Sequence, residues 1–369
     1  MNEISVFPLV NLGEYVSFKT GKLNSNAAKL NGKYPFFTCS RDTYLTDTYS
    51  FDTECVLLGG NNANGIYPIF YYFGKFDAYQ RTYVIQSLDK TKLINRFLFY
   101  ALQLQLEILR SISTGAATKF LTLTILNTIE IPFPPLSTQQ KIANILSAYD
   151  DLIENNTRRI KILEEMAQAI YREWFVSFRF PGHEGVLMVE SDLGLVPDGW
   201  EVLPLSQALT LQRGFDLTSA DRQEGSVPVY GSIGLSGYHN IAKVKAPGIV
   251  TGRSGTLGLV HYVEWDFWPH NTALWVNEFK KVTPLFTLFL LRSMDLKQYN
   301  GGVAVPTLDR NVVHRVPVII PERKMIESFE EKVNPIFPLI SNLEQQNATL
   351  RCTRDLLLPK LISGEIDVS

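Results

Sequence analysis

The sequence predicts an α+β fold: two similar mixed α/β domains separated by two long antiparallel helices with pseudo-twofold symmetry. Three observations predict it. The chain repeats itself at long range, each copy strings short strands before a helical stretch, and each copy is followed by a helical segment with a sustained apolar seam. The expected boundaries are a first domain over 1–135, a helix over 136–180, a linker and second domain over 181–321, and a second helix over 322–369.

The repeat defines the two domains. FPLVNLGEYVSFKTG (7–21) aligns with WEVLPLSQALTLQRG (200–214), pairing Phe7 with Trp200, Leu12 with Leu205 and Gly21 with Gly214 at an offset of 193. That offset continues through Pro35/Pro228 and Phe37/Tyr230 to Gly59/Gly252. Near the end of each copy it becomes 187, with Gly115/Gly302, Ala117/Ala304, Leu121/Leu308, Ile125/Val312, Ile129/Val316 and Pro134/Pro321 in register. Within each copy, CVLLGG, TYVIQS, PGIVTG and LGLVHYV read as strands punctuated by Gly, Asn and Pro. Helical stretches follow near 92–110 and 284–298, and the proline-bounded strands IEIPFPP and VPVIIPE lead out of each domain.

In the helix after the first domain, apolar residues recur at steps of four and three through Ile142, Leu146, Tyr149, Ile153, Ile160, Leu163, Ala167, Ile170 and Trp174. Asn156 falls where that seam calls for an apolar side chain. The last segment has the same seam, through Phe329, Val333, Ile336, Ile340, Leu343, Leu350, Leu357 and Leu361, and Asn347 interrupts it. Such spacing marks helices packed at a shallow angle. Antiparallel neighbours have residue numbers of constant sum, and setting Asn156 opposite Asn347 fixes that sum at 503. Ile160 then faces Leu343, Ile153 faces Leu350 and Leu146 faces Leu357. Two regions resist this register. Arg354 falls beside Tyr149, and Pro335 and Pro338 interrupt the second helix, which is expected to kink or restart near Pro335. Facing asparagines would penalise every other register; the alternative is a solvent-exposed asparagine on a frayed seam. A helix from Gln139 to Phe175 would be about 55 Å long. Two such rods between two copies of one domain would form a ruler suited to duplex DNA.

Composition narrows the class. At 369 residues, 45% hydrophobic and 20% charged, the chain is long enough for two or three domains with real cores. Cys39, Cys55 and Cys352 are scattered and odd in number, so neither a disulfide framework nor a metal site is expected, and a reducing compartment, the cytoplasm, is the default. The N-terminus has no secretory pattern, and the longest apolar run, PLFTLFLL, is too short to span a bilayer. A net charge of −2 means that any nucleic-acid contact must rest on local patches.

Specific segments carry a family resemblance. PPLSTQQKIANILSAYDDLIENNTRRIKILEEMAQAIYREWFVSFRFPG (134–182) resembles the central conserved region of type I restriction-modification specificity subunits, and LLLPKLISGEIDV (356–368) is similar to their C-terminal conserved region. VPDGWEVLPL and VPVYGSIGLSGYH resemble their second target recognition domain; the first domain departs most, with FFTCSRDTY where the second has VYGSIGLSGY. The resemblance implies a non-catalytic DNA-reading subunit, each target recognition domain reading one half of a split, asymmetric site on double-stranded DNA. It implies two modification subunits carrying an S-adenosylmethionine-dependent adenine methyltransferase, and restriction subunits using ATP and Mg, with no cofactor bound by this chain.

The residues supply no competing chemistry. The sequence has no G-x-x-x-x-G-K-[ST] loop and no G-x-G-x-x-G opening a helix, and NPIF (334–337) lacks the second proline of an amino-methyltransferase loop. PDGWEV lacks the lysine of a metal-dependent nuclease, and the five histidines are dispersed. The alternative of a stand-alone methyltransferase or nuclease would need a cryptic site. Candidate DNA-reading residues of the first domain are Ser40, Arg41, Asn61, Asn62, Asn64, Tyr79, Gln80 and Arg81; in the second they are Ser232, Arg253, Ser254, Thr256, His270 and Asn271. GGNNANG reads equally as a set of turns, whereas GRSGTLG, with an arginine at its tip, is read as a DNA loop. Lys119 and Arg310 are candidates for phosphate, with exposed solvated charge the plainer reading. Trp174, Phe175, Phe178 and Phe180 are read as buried against the chain's own second helix, or else as a docking patch for a modification subunit.

Overall fold

A computed structural model describes residues 6–62, 65–113, 119–302 and 304–368. Gly115 and Ala117 of the repeat lie outside these residues, as does the candidate Asn64. The fold is mixed α/β with two long helical segments. It divides into two compact units, unit 1 made of residues 1–157 and 345–369 and unit 2 of residues 158–344.

Unit 1 holds strands β1 (Leu9–Asn11), β2 (Val16–Thr20), β3 (Tyr34–Phe37), β4 (Tyr44–Thr46), β5 (Phe51–Gly59), β6 (Asn61–Asn62), β7 (Ile69–Ala78), β8 (Thr82–Ser87), β9 (Lys119–Phe120) and β10 (Glu130–Pro132). Its helices are α1 (Asn95–Ile112), the short α2 (Leu123–Asn127) and the long α3 (Leu136–Tyr171), which continues into unit 2. Six strands form one sheet in the order β2-β8-β5-β7-β3-β4. The apolar run of β5 is explained by cover on both faces. Val56 and Leu58 join Ile85 and the buried side of α1, while Cys55 and Leu57 pack with Phe37, Phe76 and Val84.

Unit 2 holds β11 (Met188–Ser191), β12 (Gly194–Pro197), β13 (Glu201–Pro204), β14 (Leu209–Arg213), β15 (Val227–Gly231), β16 (Gly234–His239), β17 (Gly248–Gly252), β18 (Val260–Val263), β19 (Trp268–Pro269), β20 (Ala273–Phe279) and β21 (Pro317–Ile320). Helices α4 (Leu205–Ala208), α5 (Pro284–Ser293), α6 (Arg310–Val313) and α7 (Arg323–Val333) belong to it, and α8 (Ile336–Ser363) begins in it and ends in unit 1. Its strands form a four-stranded sheet, β14-β20-β17-β18, and a three-stranded one, β16-β15-β19.

The duplication is structural down to single hydrogen bonds. Leu12 N–H donates to Ile129 O at 2.8 Å and Leu205 N–H to Val316 O at 2.9 Å, reproducing the offsets of 193 and 187 together. Val10 pairs with Ile131 in β1–β10, and Leu203 pairs with Val318 in β13–β21. One tie recurs at an offset of 191. Ile94 N–H donates to Gln139 Oε1 at 3.0 Å, and Leu285 N–H donates to Glu330 Oε1 at 3.1 Å.

The second helical segment does restart at Pro335. α7 ends at Val333 and α8 begins at Ile336, because a proline cannot donate the hydrogen bond that continuity requires. In unit 1, α3 and α8 run antiparallel. Asp150 meets Arg354, Asn156 meets Gln346 and Thr157 meets Asn347. The direct amide pair is replaced by crossed contacts. Asn156 Nδ2 donates to Gln346 Oε1 at 3.5 Å and Asn347 Nδ2 donates to Thr157 Oγ1 at 3.3 Å. Both asparagines are buried, so each side chain reaches one residue past its opposite number to find an acceptor. Arg354 is likewise accommodated by the residue next to Tyr149. Its guanidinium sits 2.6 Å from Asp150 Oδ1, and the Tyr100 hydroxyl donates to Asp150 Oδ2 at 2.6 Å. In unit 2, Trp174, Phe175 and Phe180 are buried in the core, with the Phe329 ring 6.1 Å from Trp174 and 5.1 Å from Phe175, while Phe178 packs on the Trp200 ring. The reading as a buried cluster therefore holds for this patch.

Candidate nucleic-acid interface

Four separate stretches of unit 1 converge on one edge of the unit, around Arg81. The turn after β3 carries Ser40 and Arg41; the Ser40 hydroxyl accepts from Asp42 N–H at 3.1 Å, which fixes the turn and leaves Arg41 exposed. Next to it, Cys39 Sγ lies 3.5 Å from Arg81 O. Gly60 N–H donates to Arg81 O at 2.7 Å, and Leu121 N–H donates to Gly60 O at 2.9 Å. Asn61 and Asn62 therefore form β6, paired with Phe120 and Lys119 of β9. The Arg81 guanidinium lies over the Phe120 ring at 5.3 Å, a cation–π contact that holds the charge at the surface. Gln80 is exposed beside it and Tyr79 is half-buried. Asn61 Oδ1 is shielded from solvent with no hydrogen-bond partner among the described residues.

Unit 2 assembles the same edge from different side chains. Arg253 N–H donates to Thr272 O at 2.8 Å and Leu308 N–H to Arg253 O at 2.8 Å, the counterparts of the bonds at Gly60. Ser254 bridges Thr307 as Asn61 pairs with Phe120. Ser232 N–H donates to Thr272 Oγ1 at 3.3 Å, and His270 Nδ1 lies 3.1 Å from the same oxygen. Arg253 Nε donates to Asn271 O at 3.0 Å, while the Asn271 amide donates to Asp216, which also pairs with Arg213 at 3.2 Å. Partial burial, with the neighbouring Arg213 and against the opposing Asp216, pulls the Arg253 pKa down. Thr256 is exposed at the loop tip.

Two candidates fall differently. Lys119 is part of the unit 1 edge through its pairing with Asn62. Arg310 instead opens α6, behind Asp309, whose side chain accepts from Asn311 N–H. It is exposed there and is not the counterpart of Lys119, since the offset of 187 maps Lys119 onto Pro306. Several edge residues went unselected in the sequence. Thr272 is the structural counterpart of Arg81, at an offset of 191 that neither aligned segment carries, and Thr307 is that of Phe120, at the offset of 187. Arg213 and the hairpin tip at Ile233 had no such signal.

The edge offers hydroxyls, amides, arginines and backbone N–H groups, the donors and acceptors that read base edges and hold phosphates. Among the described residues, no group of His, Cys, Asp and Glu is placed to hold a metal, and no helix is long and apolar enough to cross a membrane.

Comparison with known proteins relates the chain to one family. Residues 1–165 match the family model described as the type I restriction modification DNA specificity domain. The chain is 29% identical over 308 residues to the type I restriction enzyme MjaIX specificity subunit of Methanocaldococcus jannaschii, covering 76% of this chain and 71% of that protein. It is 36% identical over 166 residues to the EcoDI specificity subunit of Escherichia coli, covering 44% of this chain and 36% of that protein. In fold, it superposes on the crystal structure of a type I restriction-modification S subunit from M. genitalium with a TM-score of 0.65 at 19% identity, over 100% of this chain and 98% of the other.

Proposed function

We propose, from the premise that this chain belongs to the specificity subunits of type I restriction-modification systems, a division of labour along the chain: unit 1 reads one half of a bipartite, asymmetric DNA site and unit 2 reads the other. The chain directs adenine methylation and restriction and performs neither. The observation that carries the division is the recurrence of one edge, held by equivalent backbone hydrogen bonds, with different side chains on it. A conserved frame with exchanged readers gives each unit its own sequence preference.

In this reading Asn61, Asn62, Arg81 and their neighbours contact the first half, and Ser232, Arg253, Ser254, Thr256, His270 and Asn271 the second. Arg41, Lys119 and Arg310 hold phosphates, which position the protein without specifying sequence. The length of α3, which supplies residues to both units, sets the spacer between the halves. The reactions fall to partners: two modification subunits holding S-adenosylmethionine, and restriction subunits holding ATP and Mg. A cytoplasmic location follows from where such a complex meets DNA.

The test is to co-express the chain with its modification subunit and map methylated adenines. Arg253→Ala should relax the second half alone, by about 1–3 kcal/mol of base discrimination. Arg81→Ala should relax the first half alone. If both variants relaxed the same half, or methylation ignored sequence, the division would be wrong.

A further inference from the structure

We propose that Ile233 reads a thymine methyl group in the half-site of unit 2, an inference that rests on unit 2 being a DNA-reading domain. Ile233 stands at the tip of the hairpin between β15 and β16, where Gly231 pairs with Gly234 and leaves only Ser232 and Ile233 in the turn. The backbone demand of this turn is met by Gly234, whose φ of +103° an L side chain rarely adopts. The turn itself therefore has no use for isoleucine, and Asn, Asp, Ser or Gly are its ordinary occupants. Nor does packing explain the residue, since 66% of its surface is exposed and it joins none of the core clusters among the described residues.

Its surroundings are those of the reading edge. Beside it, Ser232 N–H donates to Thr272 Oγ1, and Ser232 O lies 3.0 Å from where a Cβ on Gly252 would stand. On the other side of the GRSGTLG loop, a Cβ on Gly255 would approach Ser232 Oγ at 3.8 Å. The hairpin tip thus borders the loop of Arg253, Ser254 and Thr256. Every other reader named on that edge is polar. The one apolar group that a base pair displays in the major groove is the C5-methyl of thymine, which a branched aliphatic side chain complements. At the offset of 193, unit 1 carries Ser40 at this place, so the two edges differ there in the chemistry they can detect.

The measurement uses the chain in complex with its modification subunit and duplexes bearing the mapped site, with each thymine of the second half replaced in turn by deoxyuridine. This removes one methyl group and leaves every hydrogen bond intact. At one position the wild-type complex should bind about 4-fold more weakly, the factor for one buried methyl. Ile233→Ser should be indifferent to that replacement, and Ile233→Val should retain most of the sensitivity. A second half without thymine on either strand, or equal uracil sensitivity in wild type and Ile233→Ser, would overturn the inference while leaving unit 2 as a reader. Loss of the underlying reading would look different: Arg253→Ala would leave preference at the second half unchanged.

Discussion

Units 1 and 2 share a hydrogen-bonded frame but differ in how the sheet inside it is drawn. In unit 1, β7 runs unbroken for ten residues and joins six strands into one sheet, bending at Gly74 with φ +133°. In unit 2 the same stretch breaks into β18 and β19, the sheet divides in two, and Trp265 projects from the break with 66% of its surface exposed. The junctions with the long helices differ as well. Tyr100, Asp150 and Arg354 form a half-buried polar network in unit 1, and burial together with the Asp150 carboxylate pushes the Tyr100 hydroxyl pKa up. At an offset of 191 their counterparts in unit 2 are Leu291, Ser341 and Leu163, and the junction is an aromatic and aliphatic core. Backbone bonds at the candidate interface and at the sheet exits recur in both units, while the course of the sheet and the packing at the helix junction differ. Duplication constrains the frame, and packing solutions diverge wherever more than one fills the space.

The largest test of that contrast is Phe329→Ala. Phe329 is fully buried among Tyr171, Trp174, Phe175 and Phe289, whereas its counterpart in unit 1 is Thr138. Truncation should cost about 3–5 kcal/mol. Amide exchange should show the loss in the core of unit 2, with Thr138→Ala costing far less; similar costs would mean that the two junctions are energetically alike.

Next in size is Asp150→Ala, which strips the Arg354 guanidinium and the Tyr100 hydroxyl of a shared acceptor. Asp355 still accepts from Arg354, so the expected cost is about 1–2 kcal/mol in chemical denaturation. Ser341→Ala in unit 2 should stay within about 0.5 kcal/mol.

The smallest effect is in pH. All five histidines lie in unit 2. Burial, with Arg292 nearby, lowers the His261 pKa; burial, with Arg310 and Lys280, lowers that of His314. His314 Nε2 accepts from Leu211 N–H at 2.8 Å, which requires the neutral ring. A folded pKa below the unfolded value means that the unfolded state binds more protons. The stability these groups contribute is therefore complete above about pH 6.5 and is lost as pH falls through the lowered folded values. Unit 1 responds at more acid pH, through Glu54. Burial acts to raise that pKa, but hydrogen bonds from Lys90 and Tyr71 outweigh it and hold the group below its ordinary value. Its contribution is present above about pH 4.3 and is lost below. Amide exchange at pH 7.5 and 5.5 should loosen unit 2 first, and equal loosening in both units would contradict the assignment.

Much of the frame is readable in the sequence because it depends on short-range rules. The alignment offsets reappear as hydrogen bonds at Leu12 and Leu205, and the seam of α3 and α8 places both asparagines in buried positions. The candidate interface was legible in part. Gly-rich loops and turn residues identified Arg253, Ser254, Asn61 and Asn62, but Phe120, Thr272 and Ile233 appear only when strands distant in sequence are brought together. The break between β18 and β19 was not legible, since VHYVEWDFWPH alternates as well as an intact strand would.

The sequence alone determined that the chain is duplicated, that each copy ends in a long amphipathic helix, and where the second helix restarts, because periodicity, repeat spacing and proline act locally. Tertiary structure decided which side chain answers which. Asp150 rather than Tyr149 meets Arg354, and Gln346 and Thr157 rather than two facing amides accept from the buried asparagines. Those outcomes turn on the reach of side chains across a packed interface, a length of one residue along the helix that no periodicity specifies.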